Sequence, residues 1–127
     1  MVLNARTDIY LLEVGEAAKR YERTLQRLVA FRDAGASCLF IPGVKDVETI
    51  RRFVQDLKFP INILGGPGAP PVLELEKLKV ARVSLGSSVM RGTLGHLQRI
   101  ATELKISGSY TALEGAPSFA EMNRLLG

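Results

Sequence analysis

Aromatic residues are scarce in this chain of 127 residues, at 6%, and tryptophan is absent. A chain with so few aromatic rings lacks the stacking platform on which single-stranded nucleic acids bind. The net charge is +4, but the basic residues are not clustered. Arg20, Arg23 and Arg27 alternate with acidic residues such as Glu16 and Glu22, as on a solvated helix face. We therefore expect no nucleic-acid partner.

Cysteine and histidine each occur once. Cys38 lies inside an apolar run and has no internal disulfide partner, so it is predicted to be a buried strand residue. His96 falls in the middle of a predicted helix, and no metal site can be built around it. No run approaches the roughly 20 apolar residues of a transmembrane helix, and no signal peptide is recognisable. These absences predict a cytoplasmic chain with no membrane partner and no metal site of its own.

Four short apolar runs are rich in Val, Ile and Leu, at residues 2–5, 38–41, 61–64 and 81–85. Near-continuous apolarity is typical of parallel strands that are covered on both faces. Each run is followed by a turn-rich segment and a stretch with helical periodicity. The predicted helices span about 16–34, 46–57, 71–78, 87–106 and 118–126.

The resulting order, βαβαβαβα plus a terminal helix, predicts an α/β fold in which 1–127 form a single domain. Two architectures fit this order equally at this point. One is a doubly wound open sheet, and the other is half of a (β/α)8 barrel. In both, the functional edge is the one at which the parallel strands end.

Candidate ligand-binding residues follow three of the four strands. Arg6 offers a planar set of donors that suits a carboxylate or phosphate. Gly66 and Gly68 allow close approach of the backbone to a ligand. Gly86 and Ser87 precede a predicted helix, where free N–H groups attract anions. Together these five residues predict a site for a small anionic substrate, whereas the catalytic residues stay unknown.

Each of these signals also has a structural interpretation. The glycine-rich loop at 65–68 fits neither the dinucleotide fingerprint nor the P-loop and is equally typical of a turn. Residues 86–88 could cap the following helix. Arg6 could be an ion-pair partner of Asp8. No base, nucleophile or metal cage is evident, which argues against a complete enzyme.

Four segments carry a family resemblance through their order and spacing: Ala-Arg-Thr-Asp at 5–8, Leu-Phe-Ile-Pro-Gly at 39–43, the segment 60–70, and the segment 78–86. Over essentially its whole length, the chain resembles the carboxyl-terminal half of the isocitrate lyase/phosphoenolpyruvate mutase superfamily. It is most similar to the branch described as phosphoenolpyruvate phosphonomutase-like or carboxyvinyl-carboxyphosphonate phosphorylmutase-like.

The resemblance implies a (β/α)8 barrel in which the four strands of this chain are strands five to eight. The terminal helix would belong to a region swapped between the subunits of a homo-oligomer. The family activity is Mg2+-dependent cleavage or formation of C–C or P–C bonds in small 2-oxo acids, and Arg6 would contact the anionic substrate. The family's Asp-x-Asp metal ligands and Lys-Cys-Gly-His gating loop lie in the amino-terminal half, and neither motif occurs here.

The chain also departs from the lyase branch of this superfamily. That branch carries a glutamate near the end of the sixth strand and an asparagine near the end of the seventh. Residues 41–43 and 64–66 read Ile-Pro-Gly and Leu-Gly-Gly instead. We therefore do not expect lyase chemistry on methylisocitrate.

The sequence leaves three functional hypotheses. In the first, the chain is a truncated family member that retains substrate contacts, lacks the metal site and is inactive alone. In the second, it is a non-enzymatic half-barrel that self-associates or binds a complementary half through its open edges. In the third, it is a flavodoxin-like domain that binds a small phosphorylated ligand, which requires the first strand to lie inside the sheet.

Overall fold

A computed structural model describes all 127 residues, and their contacts group into two compact units, Met1–Gly86 and Ser87–Gly127. The expectation that the two form a single domain stays a prediction. The first unit contains all the strands and three helices: β1 (Asn4–Arg6), α1 (Ala17–Asp33), β2 (Cys38–Ile41), α2 (Val47–Leu57), β3 (Ile61–Leu64), α3 (Val72–Lys77) and β4 (Arg82–Ser84).

The four strands form one parallel sheet in the order β1-β2-β3-β4. Each strand therefore lies beside the next strand in the chain, with a helix in every connection. This sequential order is that of neighbouring strands in a (β/α)8 barrel. A flavodoxin-like sheet places its first strand inside the sheet. Because β1 lies at an edge, the flavodoxin-like hypothesis is wrong.

The core of this unit lies between the sheet and its helices. Leu39, Ile41, Ile61 and Ile63 are almost completely buried and belong to one cluster with residues from all three helices. Side chains alternate between the two faces of a strand, so these four share the face that the helices cover. Burying a side chain of this size contributes about 1.5–3 kcal/mol. The intervening residues are thereby directed to the opposite face.

Contacts between α1 and α2 extend this core. The ring of Tyr21 stacks on Phe53 with centroids 4.4 Å apart, and the Tyr21 hydroxyl donates a 2.8 Å hydrogen bond to Asp56. Burial and the neighbouring Asp56 carboxylate both raise the pKa of Tyr21. At the start of α2, Asp46 accepts a 2.7 Å hydrogen bond from the Thr49 amide. This contact confirms Asp46 as the N-cap that the sequence predicts.

The first strand begins two residues later than the sequence predicts. The expected strand was 2–5, but β1 spans Asn4–Arg6 because the ladder begins where Asn4 pairs with Cys38. Val2 and Leu3 are exposed despite their apolar side chains. The shift brings Arg6 into the strand itself.

The second unit consists of α4 (Ser88–Ile106), a 3₁₀ turn at Thr111–Leu113 and α5 (Phe119–Leu126). The Glu103 carboxylate accepts hydrogen bonds from the Ser109 hydroxyl and from the amides of Thr111 and Ala112, which fixes the turn after α4. Ser118 begins α5 with a reciprocal capping box to Glu121. Neither helix contains a buried residue.

None of the helices combines the length and the apolar character that crossing a bilayer requires.

Candidate substrate-anion site

Arg6 is the last residue of β1, and two neighbouring side chains contact its guanidinium group. Its Nε donates a 2.5 Å hydrogen bond to Asp8, and its guanidinium carbon lies 5.5 Å from the centre of the Phe40 ring. The side chain is 48% exposed. No other contact occupies the guanidinium, so both terminal nitrogens are free to donate. The ion pair that sequence reasoning offered as an alternative role therefore exists, and it leaves most of the donors available.

Arg6 belongs to a row of four residues that crosses one face of the sheet. In the strand register, Arg6 is opposite Phe40, Phe40 is opposite Asn62, and Asn62 is opposite Arg82. This face is the one that α1, α2 and α3 do not cover. Arg6 and Arg82 thus lie on the two edge strands of this face, with Phe40 and Asn62 between them.

Asn62 is fully buried within this row, and it is paired with Ser84 on the next strand. The amide nitrogen donates to the Ser84 oxygen at 2.9 Å, and the hydroxyl donates back to the amide oxygen at 3.1 Å. Each group satisfies the other, as buried polar groups require. This pair fixes the spacing of β3 and β4 near their carboxyl ends.

The glycine-rich loop after β3 forms a turn, with the Ala69 amide donating to the Gly66 carbonyl at 3.0 Å. Gly68 has a φ of +82°, which favours glycine. A Cβ at Gly68 would lie 3.2 Å from the ammonium nitrogen of Lys45, which comes from the loop after β2. The structure thus brings a lysine to the loop that contains Gly66 and Gly68, and it supports the turn as well as the ligand-loop interpretation.

The loops at this edge are also tied together at Gly43. A Cβ there would lie 2.6 Å from the backbone nitrogen of Leu11 and 2.9 Å from the carbonyl carbon of Tyr10. Only glycine permits this approach, so the loop after β1 is held against the loop after β2. The backbone that follows Arg6 is consequently well supported.

The last two predicted ligand residues fall on either side of the boundary between the units. Gly86 ends the first unit with a φ of +53°, and a Cβ there would lie 3.3 Å from Leu64. Ser87 begins the second unit and precedes α4, where its side chain makes no capping hydrogen bond. Its hydroxyl is therefore not used by the helix cap that the structural interpretation assigned to it.

Metal-ligating side chains do not cluster in this structure. No three Asp, Glu, His or Cys residues come together as metal ligands. Asp8 is the carboxylate nearest the end of β1, and it already accepts the hydrogen bond from Arg6. Mg2+ usually binds through one or two carboxylates together with substrate oxygens and water, so Asp8 by itself does not define a metal site. We therefore derive no chemical step through a metal on these residues.

Comparison with known proteins identifies the family. The model of the phosphoenolpyruvate phosphomutase family matches residues 1–105, which is most of the chain. The chain belongs to the phosphoenolpyruvate mutase family. A solved structure of a family-like protein from Burkholderia cenocepacia, provisionally assigned as a lyase or mutase, is 35% identical with a TM-score of 0.89. The match covers 98% of this chain and 44% of the Burkholderia protein.

Two further relatives are named as lyases. The 2-methylisocitrate lyase of Salmonella typhimurium is 32% identical over 113 residues, which are 85% of this chain and 36% of the enzyme. The solved 2,3-dimethylmalate lyase is 26% identical with a TM-score of 0.73, and 99% of this chain covers 44% of it.

An uncharacterized protein of Mycobacterium tuberculosis is 35% identical over 85 residues, or 67% of this chain and 31% of that protein. This chain thus spans less than half the length of these phosphoenolpyruvate mutase relatives. This coverage and the sequential order of the four strands are both consistent with half of a (β/α)8 barrel.

Sequence reasoning missed two parts of the site. The Asn62–Ser84 pair depends on strand register, and its one sequence signal is an asparagine inside the run Ile-Asn-Ile-Leu at 61–64. Lys45 reaches the glycine-rich loop from a different connection. Its signal is a basic residue directly after the strand-ending segment Pro-Gly-Val at 42–44.

Proposed function

We propose that this chain supplies the substrate-anion side of an active site for phosphoenolpyruvate mutase chemistry on small 2-oxo acids. The observation that carries the proposal is the state of Arg6, whose guanidinium is oriented by Asp8 and Phe40 while both terminal nitrogens stay free. A preoriented guanidinium binds a carboxylate or phosphonate in a bidentate manner with little loss of side-chain entropy.

The surrounding chemistry favours a small, multiply charged substrate. Lys45 adds positive charge near the same edge, and it forms no ion pair. Two relatives are named as lyases of 2-methylisocitrate and 2,3-dimethylmalate, which are small polycarboxylates. Gly66, Gly68 and Gly86 would then supply backbone donors to the same ligand.

The proposal includes inactivity of the isolated chain. Bond cleavage to an enolate requires a group that stabilises developing negative charge, and in this family Mg2+ has that role. We propose that the metal ligands and the general base come from another polypeptide segment, a proposal supported by the lack of any cluster of three Asp, Glu, His or Cys residues. We place this function in the cytoplasm, in keeping with the single, buried and unpaired Cys38.

Turnover assays test the inactivity. The purified chain is incubated with Mg2+ and phosphonopyruvate, oxaloacetate or methylisocitrate, and we expect no product above the Arg6→Ala background. Product formation that Arg6→Ala abolishes would show a complete active site and overturn the proposal of inactivity.

Ligand binding tests the anion site separately. We expect pyruvate to bind in isothermal titration calorimetry and Arg6→Gln to weaken binding about tenfold or more, because a charged hydrogen-bond pair is worth about 1.5–3 kcal/mol. Arg51→Gln is the matched control, since Arg51 lies on α2 and pairs with Glu48 at 3.3 Å. Equal affinity in the wild type and Arg6→Gln would refute the role of Arg6.

A second candidate function is assembly without catalysis. Both β1 and β4 are edge strands, and open edges are templates for pairing with another chain. Two copies of this chain, or one copy and a complementary half, would close such a sheet. Size-exclusion chromatography with light scattering tests this candidate: a dimer or larger homo-oligomer is expected, and a monodisperse monomer at high concentration would contradict self-association.

A further inference from the structure

A second cationic site lies outside the loops that contain the glycines. A cavity of about 410 Å³ opens between the segment that follows β1 and the flank of α1, lined by Thr7, Asp8, Ile9, Val14, Arg23, Gln26 and Arg27. Arg6, Lys45 and the glycine-rich loop do not line it. It therefore goes beyond the proposed substrate site.

The two arginines of this cavity lie one helical turn apart on α1 and have no acidic partner. Neither guanidinium forms an ion pair or a hydrogen bond, whereas Lys19 and Arg20 on the same helix pair with Glu16 and Glu13. Like charges at positions i and i+4 disfavour a helix. Arg23 and Arg27 lie on the exposed face of α1, as the sequence predicts, but without the acidic partners that Lys19 and Arg20 have.

The carboxylate in the cavity wall does not neutralise them. Asp8 accepts its hydrogen bond from Arg6 at 2.5 Å, so its charge is already compensated from another direction. Gln26, between the two arginines in sequence, adds an uncharged donor to the wall. The cavity is left with an excess of positive charge and of hydrogen-bond donors.

The cavity is also preorganised by its own segment of chain. Arg20 donates to the carbonyls of Glu13 and Gly15 at 3.2 and 3.4 Å, which holds the segment that contributes Val14. The guanidinium of Arg23 lies directly against Gly15, where φ is +73° and a Cβ would overlap it. Both contacts restrict Arg23 and the wall opposite it.

Thr7 lies in the wall of this cavity, with its hydroxyl below the accessible surface. The residue is 2% exposed, and its hydroxyl oxygen is shielded from water without any hydrogen-bond partner. Thr7 lines the same cavity as the two free arginines.

We propose that the cavity between the β1–α1 segment and α1 binds an oxyanion, a carboxylate or phosphoryl group, through Arg23 and Arg27. Arg27 also lies 5.5 Å from the ring of Phe31, which restrains its guanidinium from the side. Gln26 contributes a further donor. Binding pairs the two free arginines and removes the repulsion between them.

Nuclear magnetic resonance of the full chain tests the proposal. Inorganic phosphate and acetate are titrated separately at constant ionic strength, with chloride as the reference, and the Nε–Hε signals of Arg23 and Arg27 are followed with the Thr7 amide. We expect a saturable shift with at least one oxyanion and none with chloride. Saturation by phosphate alone identifies a phosphoryl ligand, and saturation by acetate alone or by both identifies a site that accepts carboxylates.

Variants separate this site from the substrate site. Arg23→Gln and Arg27→Gln should each weaken oxyanion binding at least tenfold, whereas Arg51→Gln, on a different helix, should leave it unchanged. Backbone spectra of each variant verify that it is folded. Linear, non-saturating shifts with both oxyanions, or unchanged binding in both α1 variants, would overturn the proposal, whatever the outcome for Arg6.

Discussion

Asn62 is a polar residue in the middle of an apolar strand, and its stability contribution depends on one partner. Asn62→Leu leaves the Ser84 hydroxyl unpaired, and Ser84→Ala leaves the buried amide unpaired. We expect each single change to cost about 1–3 kcal/mol in urea unfolding. The double variant should cost less than the sum, because it removes both groups together. Strictly additive effects would show that the pair is not coupled.

Gly43 contributes through its contact with backbone atoms of the loop after β1. Gly43→Ala should cost about 2–5 kcal/mol, because it combines left-handed strain with overlap against Leu11 and Tyr10. Gly35→Ala is the matched control, since Gly35 has a φ of +96° but no atom within 4 Å of its Cβ position. It should cost about 1–2 kcal/mol for strain alone. Equal losses in urea unfolding would eliminate the steric part of the argument.

Individual residues of the site were predictable where the signal is local. Arg6 follows an apolar run, and Gly68 lies in a loop that needs a positive φ, so both could be singled out from sequence. The Asn62–Ser84 pair and the free state of Arg23 and Arg27 depend on which side chains the fold brings together. Spacing on a helix or strand does not contain that information.

Elements with a continuous apolar core were predicted most accurately. The strands at Cys38–Ile41 and Ile61–Leu64 and the helix start at Asp46 agree with the sequence-based boundaries. The edge strands β1 and β4 are each shorter than expected, because edge residues such as Leu3 and Leu85 are exposed and their apolar character does not mark strand pairing. The 3₁₀ turn at Thr111–Leu113 had no periodic signal.

That turn depends on Glu103, whose hydrogen bonds lower the pKa of its carboxyl from 4.5 to about 2, the Ser109 hydroxyl being the largest cause. Because the folded pKa lies below the unfolded one, the stabilisation is complete above about pH 4.5 and is lost as the pH falls toward 2. Amide shifts of Thr111 and Ala112 should follow this titration. In Glu103→Gln they should be displaced already at pH 7, whereas Glu114→Gln should resemble the wild type. A midpoint near 4.5 would contradict the prediction.

At the scale of the whole molecule, the two units differ in how much they bury. The first unit contains the apolar cluster, whereas α4 and α5 have no buried residue. Native-state hydrogen exchange should therefore show amides of β2 and β3 exchanging through global unfolding. Amides in α4 and α5 should exchange at a lower free energy of opening. The same opening free energy in both units would indicate one cooperative unit.

The sequential order of the sheet determines the order in which its strands can pair during synthesis. Every strand pairs with the one synthesised just before it, and the connecting helix lies between the two in time as well as in sequence. Each pairing therefore closes a single βα connection and does not join distant parts of the chain, which limits the loop-closure entropy of each step. Each strand can thus pair with the preceding one once its connecting helix has left the ribosome, and it then forms the edge to which the next strand is added.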